Sequence, residues 1–155
     1  MKYVIKKVKY KDLDEAFSLI HKTFLEFIAP DYSSEGIEAF KYYFIENDKF
    51  KLLFKTGMQF MYGSYVKNKI IGVISISIHN HISCVFVDKE YHRQGVATNL
   101  FNYIISVEKE KGVNRIALSA SPYAIPFYHS LGFVDTNIKQ NFHGIIFTPM
   151  ELELK

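Results

Sequence analysis

The chain has 155 residues, 48% hydrophobic and 23% charged, with a formal net charge of +3; this is the size of one ordinary domain, read here as a single unit over 1–155. So small a positive charge argues against a nucleic-acid partner, because phosphate-tracking proteins gather many more basic residues on one face. The single cysteine, Cys84, excludes an internal disulfide and a cysteine-rich zinc site, and its apolar neighbours mark it as an inert buried thiol rather than a nucleophile.

In chain order, charges interrupt the opening run Met1-Lys2-Tyr3-Val4-Ile5-Lys6-Lys7, so neither a signal peptide nor a membrane span is expected, and the expected location is cytoplasmic. Alternation over residues 3–9 predicts an edge strand. Asp12 is the expected N-cap of a helix whose Leu13, Ala16, Phe17, Ile20, Phe24 and Phe27 recur at helical spacing, ended by Pro30. A second helix is predicted from Ser33 or Ser34, with Ile37, Phe40, Tyr43 and Phe44 on one face. Strands follow at 59–66 and 70–78, joined by Lys67-Asn68-Lys69, and at 82–87. Residues 98–111 read as a helix facing the core with Leu100, Tyr103, Ile104 and Val107, capped by Gly112. A strand at 115–120, a short helix at 124–131 closed by Gly132, and a final hairpin of 133–138 with 145–154 complete the chain. The order is β-α-α-β-β-β-α-β-α-β-β: an α/β chain with a mixed sheet, hairpins flanking one right-handed crossover.

The stretch Val85-Phe86-Val87-Asp88-Lys89-Glu90-Tyr91-His92-Arg93-Gln94-Gly95-Val96-Ala97-Thr98 carries an apolar strand through a polar turn into a helix. Small residues at Gly95 and Ala97 let a ligand approach the backbone, and the free amides and dipole of a helix start attract an anion. The segment has neither the Gly-Lys-Ser/Thr of a nucleotide P-loop nor a three-glycine dinucleotide fingerprint. Read from these residues alone, the turn is either an anion cradle or a structural turn.

The Tyr-x-x-x-Gly-x-Ala pattern resembles the pyrophosphate-binding signature of the GNAT superfamily of N-acetyltransferases, usually Arg/Gln-x-x-Gly-x-Gly/Ala. Gly95 and Ala97 match it, and His92 stands where Arg or Gln is usual. A second block, Ser121-Pro122-Tyr123-Ala124-Ile125-Pro126-Phe127-Tyr128-His129-Ser130-Leu131-Gly132-Phe133, resembles the family's Asn-x-x-Ala-x-x-Phe-Tyr-x-x-x-Gly-Phe. Ala124, Phe127, Tyr128, Gly132 and Phe133 match, with Ser121 in place of the Asn. The resemblance is strongest over residues 59–133. Residues 29–38 and the tail from Gly144 to Met150 look like an uncharacterised bacterial subgroup.

The resemblance implies a GNAT-like acyl-CoA N-acyltransferase fold and acetyl-CoA as co-substrate, with no metal. It implies that the backbone of Val85, Phe86 and Val87 pairs with the pantetheine arm, and that His92, Arg93, Gln94, Gly95, Val96, Ala97 and Thr98 cradle the pyrophosphate. Ser121, Ala124 and Phe127 would flank the arm on its other side, where two parallel strands, 82–87 and 115–120, are expected to splay. Tyr128 falls where the family places the phenol that protonates the leaving thiolate, although packing against the coenzyme is its bland alternative. The implied reaction is acetyl transfer to a primary amine of a small molecule or protein, by direct attack in a ternary complex. The alternative is a catalytically silent acyl-CoA-binding sensor or regulatory module. No membrane partner is implied, and the chain would be a monomer or homodimer.

A lysine-like amine with a pKa of about 10.4 is on the order of a thousandth neutral at pH 7, so something must take its proton. His79 and His81, expected on one strand face, are candidate bases or solvated turn residues; as a metal pair they have no third ligand. Asp31, Glu35 and Glu38 lie in the helix connection that borders the acceptor pocket in the family, and would there favour a cationic amine; the alternative is a solvated loop. His143 reads as a turn residue.

Overall fold

The computed structural model describes residues 3–155, which leaves Met1 and Lys2 of the opening run outside the described residues. The chain order is β1 (Val4–Lys7), α1 (Leu13–Thr23), α2 (Ser34–Phe40), α3 (Asp48–Thr56), β2 (Gln59–Val66), β3 (Lys69–Ser77), β4 (His81–Val87), α4 (Val96–Glu110), β5 (Arg115–Ala120), α5 (Ile125–Ser130), β6 (Val134–Asp135), β7 (Gln140–Phe142) and β8 (Ile145–Glu153). The sheet runs β1-β2-β3-β4-β5-β8-β6, with β7 also on β8, and only the β4–β5 pair is parallel. This is the expected mixed α/β fold, with one helix and one strand more than the sequence pattern gave.

The additional helix, α3, is capped at both ends by local chemistry. Asn47 Oδ1 accepts from the Phe50 amide at 3.1 Å, and Gly57 stops the helix in a left-handed conformation at φ +82°. The additional strand, β7, changes the predicted final hairpin. β8 pairs mainly with β5 over six residues, β7 takes its start, and the 133–138 segment contributes only Val134 and Asp135. Asp12 occupies the N-cap of α1 without a side-chain cap bond, because a 3₁₀ turn over Tyr10–Asp12 leaves it at φ −100°, ψ 5°, outside the extended conformation a capping side chain needs. Nor does Pro30 end α1: a π-helical turn over Phe24–Ile28 comes first, and Pro30 sits in a 3₁₀ turn where its missing N–H costs nothing. Ser33 does cap α2, its Oγ accepting from the Gly36 amide at 3.2 Å.

Two apolar clusters cover the two faces of the sheet. On one face α1, the π-helical turn after it and α2 bring Phe17, Ile20, Phe24 and Phe40 against Met61, Val73 and Cys84, with Phe50 and Phe54 of α3 packed on the cluster. On the other, α4 and α5 bring Val96, Leu100, Phe101, Ile104 and Tyr128 against Ile74, Ile82, Ile116 and Leu118. Phe101, omitted from the predicted core face, is fully enclosed, whereas Tyr103 is half-buried, its ring tilted against Tyr62 at 5.2 Å.

Candidate active site

β4 and β5 part company early. Their parallel pairing is confined to His81 with Ala117 and Ile82 with Leu118; from Cys84 to Val87, β4 pairs only with β3, and β5 turns its other edge to β8. The expected splay is therefore present, and it begins at a β-bulge. Ser75 pairs with Cys84 while Ile76 pairs with Ile82, so Ser83 is the extra residue. Its effect is legible in the packing: Ile82, Val85 and Val87 contact the α4 side, whereas Cys84 and Phe86 contact the α1 side. A bulge bends its strand, and this one sits just where pairing with β5 stops. Backbone groups on the facing edges of the gap are left for another partner.

Beyond β4 the chain is pinned before it is presented. Asp88 is buried, its amide bonds the Ile71 carbonyl at 2.8 Å, its Oδ1 accepts from the Glu90 amide at 3.0 Å, and Lys22 Nζ stands 3.7 Å from Oδ2. Gln94 donates to the Glu90 carbonyl and accepts from the Tyr3 hydroxyl. Arg93 and Gly95 then adopt positive φ, +62° and +77°, which turns the chain sharply into α4. Among the described residues, no amide from Arg93 to Thr98 donates to a protein acceptor, and a Cβ built on Gly95 would meet nothing within 4 Å. A row of unengaged amides faces open space at a helix start, which suits an anion. Val96 is the exception among the predicted contacts: its side chain is buried on Gly72, so only its amide is available.

His92 does not extend into that space. Its Nε2–H donates to the Val87 carbonyl at 2.7 Å, and its ring lies 4.6 Å from Phe27, which lies 5.5 Å from Tyr123. Three rings thus run from the loop after β4 to the turn after β5. Phe27 is half-buried rather than part of the enclosed core, and neither it nor Tyr123 stood out in the sequence as a site residue. Their only signal was position, one beside a π-helical turn and one inside the second motif.

Across the gap, Ser121 starts a 3₁₀ turn through its carbonyl, which accepts the Ala124 amide at 3.0 Å, while its side chain makes no cap bond. Phe127 packs on Phe101 at 6.0 Å and Tyr128 sits between Phe101 and Phe133, each at 5.8 Å. Burial pushes the Tyr128 phenol well above its ordinary pKa of 10, and the nearby Cys84 adds to the shift, so the hydroxyl stays protonated at neutral pH. The two belong to clusters on opposite faces of the sheet. The hydroxyl has no hydrogen-bond partner among the described residues, yet no enclosed side-chain polar atom lacks one, so its oxygen reaches solvent. Cys84 is the buried thiol expected, its pKa pushed up by burial to about 11.

The expected histidine pair separates. His79 is exposed in the β3–β4 turn, while His81 is the first residue of β4, so they do not share a strand face; Asn80 at φ +65° reverses the chain between them. Partial burial holds the His81 imidazole below its ordinary range. Asp31, Glu35 and Glu38 are all exposed. Beside them, Tyr32 donates to the Ile146 carbonyl at 3.1 Å, and α2 meets the β7–β8 turn so closely that a Cβ on Gly36 would lie 2.2 Å from the Gly144 oxygen. His143 is in that turn at φ +52°, stacked on Tyr43 at 5.6 Å. Among the described residues no three His, Cys, Asp or Glu side chains gather as a metal site, and no helix is long and apolar enough to cross a membrane.

A family model described as an acetyltransferase (GNAT) domain matches residues 28–154. Among solved structures, the chain is similar to a PaiA N-acetyltransferase from Thermoplasma acidophilum in complex with coenzyme A, at 20% identity over 99% of both chains with a TM-score of 0.79. It is similar to a GCN5-related N-acetyltransferase from Rhodopseudomonas palustris at 20% identity, covering 99% of this chain and 97% of that one, TM-score 0.85. It is also similar to the ribosomal-protein-S18-alanine N-acetyltransferase of Escherichia coli at 18% identity, covering 99% and 95%, TM-score 0.73. No curated protein matches in sequence.

Proposed function

The chain belongs to the GNAT acetyltransferase family and is an acyltransferase, and from that premise we propose that it moves an acetyl group from acetyl-CoA to a primary amine of a small molecule or protein, by direct attack in a ternary complex. The observation that carries the reading is the gap between β4 and β5 ending at the unengaged amides of Arg93 to Thr98. The residues present fit such a co-substrate. A diphosphate is received by the loop amides and the start of α4, with Gly95 giving it room and Arg93 adding charge. The edge of β4 from Ser83 to Val87 receives the amide-bearing arm, which supports a role for Val85, Phe86 and Val87, with Ser121, Ala124 and Phe127 opposite.

The coenzyme supplies an acetyl group activated as a thioester. The chain's own part is to hold that group, to present the amine, and to manage two protons. Tyr128 gives its phenolic proton to the departing thiolate; its solvent-reaching hydroxyl and raised pKa make it a protonated donor at pH 7. The amine's proton leaves by water, with His81, held neutral by its lowered pKa, the better placed of the two imidazoles to receive it. The acceptor enters from the α1–α2 side. Residues 23–40 carry Glu26, Asp31, Glu35 and Glu38 and no Lys or Arg, a balance that favours a cationic amine.

The test is calorimetry with acetyl-CoA, followed by thiol release across a panel of monoamines, polyamines and lysine- or alanine-ended peptides. Binding with amine-dependent thiol release is expected. Binding with no release to any amine would leave the silent coenzyme-binding module, and absence of binding would overturn both.

A further inference from the structure

The two walls of the gap can be read group by group, because strand pairing fixes which backbone groups turn outward. In an antiparallel ladder, residues bonded across to the partner strand alternate with residues whose amide and carbonyl face away. The Asp88 amide bonds the Ile71 carbonyl at 2.8 Å, and Val87 stands opposite Gly72. Phe86 therefore bonds Val73, whereas Val85 and Val87 turn their amides and carbonyls from β3 toward the gap. On the opposite wall, the Ala117 amide reaches the Asn80 carbonyl at 3.0 Å, which sets the gap-facing edge of β5. Ser119 falls on the same edge two residues on, and its β8 partner is Pro149, which has no N–H to give it.

Both rims of the gap are already capped. The Val87 carbonyl lies 2.7 Å from His92 Nε2, and a carbonyl only accepts, so that ring nitrogen carries the proton. The Ser121 carbonyl, two residues past Ser119, accepts the Ala124 amide at 3.0 Å. Beyond the bulge, one level remains for a donor entering the gap. It consists of the Val85 and Ser119 carbonyls, which have no partner among the described residues. Phe27 ties the two caps together, its ring 4.6 Å from His92 and 5.5 Å from Tyr123 in the turn that Ser121 starts.

We propose that His92 is a positioning residue for the coenzyme arm: by occupying the Val87 carbonyl it leaves Val85 as the acceptor on the β4 wall, and Phe27 holds it there. The inference rests on the acetyl-CoA reading above and goes beyond it by naming what fixes the depth at which the arm is seated. Successive carbonyls on one edge of a strand are two residues, roughly 7 Å, apart. An arm held by Val87 instead of Val85 would keep its thioester that much nearer the rim. With the rim capped, the wrong register has no acceptor to hold it.

The experiment uses the full chain with acetyl-CoA, coenzyme A and the amine of the panel that gives the fastest thiol release. His92→Ala opens the second acceptor, so turnover at saturating acetyl-CoA should fall about tenfold or more through misplacement. Coenzyme A affinity by calorimetry should stay within about threefold. His92→Gln, whose side-chain amide offers a donor at a similar reach, should return turnover to within about threefold of the parent. Phe27→Leu, which keeps apolar bulk but loosens the ring contact, should fall between the two. A merely structural role would lower melting temperature and coenzyme affinity together, with no rescue in His92→Gln. A second readout needs no turnover: by NMR of ring-nitrogen-labelled protein, the His92 Nε2–H should stay hydrogen-bonded when coenzyme A is added. Loss of that proton signal on binding, unchanged turnover in His92→Ala, equal impairment in His92→Ala and His92→Gln, or a parallel loss of coenzyme affinity would overturn the assignment while leaving acetylation intact. Should His92→Ala not fold, the NMR measurement on the parent decides. A parent that binds coenzyme A but releases no thiol to any amine removes acetylation, and the NMR measurement still decides on His92. A parent that binds no coenzyme A removes both.

Discussion

The half of the molecule proposed to hold the coenzyme, residues 81–133, and the aromatic half, residues 24–58 with 134–147, are held by different kinds of interaction. The first is specified by backbone: a gap between strands, a bulge, a glycine at φ +77° and a helix start with unengaged amides. The second is specified by rings. Phe24 stacks on Phe40 at 3.8 Å, Tyr32 packs on Phe24 at 5.5 Å, Phe44 on Phe40 at 5.2 Å, and Tyr43 on Phe142 at 5.2 Å. Backbone geometry can hold one invariant ligand while side chains drift. A ring-built wall changes its shape with every substitution, and is the natural place for a variable partner. The difference teaches where to look for constancy and where for individuality in such a chain.

The largest effect expected belongs to the one side chain on the coenzyme side whose chemistry, rather than backbone, is at issue. Tyr128→Phe keeps the ring among Phe101, Phe127 and Phe133 but removes the proton. Turnover at saturating acetyl-CoA should fall by roughly 10²–10⁴, with coenzyme affinity within a few-fold. Near-normal turnover would reduce the phenol to packing.

Gly95→Glu attacks the backbone specification directly. No protein atom would meet the new Cβ, so the loss comes from the ligand's side: a side chain and a negative charge in the anion's place, on a residue forced to φ +77°. Acetyl-CoA affinity should drop on the order of tenfold to a hundredfold by calorimetry in a protein that still folds. Unchanged affinity would break the comparison at its root.

Gly36→Ala is the smallest and sharpest probe. Its Cβ would lie 2.2 Å from the Gly144 oxygen, so α2 and the β7–β8 turn must separate. A cost of about 1–3 kcal/mol is expected in urea unfolding, with acetyl-CoA affinity within twofold. If coenzyme affinity falls alongside stability, the two halves are coupled and the division drawn above is too clean.

The same division governs what could be read from the sequence. Strands 59–66 and 115–120 were legible to the residue, because the runs there are bounded by turn and charged residues. Gly95, Ala97 and Tyr128 stood out only through the resemblance to two family motifs, and the variants above are what test their roles. Helix α3 was not, since Lys49, Lys51 and Lys55 dilute its apolar face and the preceding π-helical turn over Lys41–Ile45 breaks the 3.6-residue phase; Asn47 and Gly57 were the signals to weigh. The bulge at Ser83 left no mark, because β4 is apolar toward both faces and a change of facing does not alter such a pattern. The rings of Phe27, His92 and Tyr123 meet from three distant segments, which no local spacing encodes.

That bulge also bears on how the chain can change in length. On either side of Ser83 the strand keeps opposite parity: Ile82 faces α4 and so does Val85, three positions on. Were the strand to run straight with every residue kept, Val85 and Val87 would turn toward α1 and Phe86 toward α4, exchanging the linings of both cores at a stroke. Loops elsewhere can gain or lose residues one at a time in the course of descent. Here a strand can do so once, by giving up its extra residue, and both faces of the sheet keep their linings.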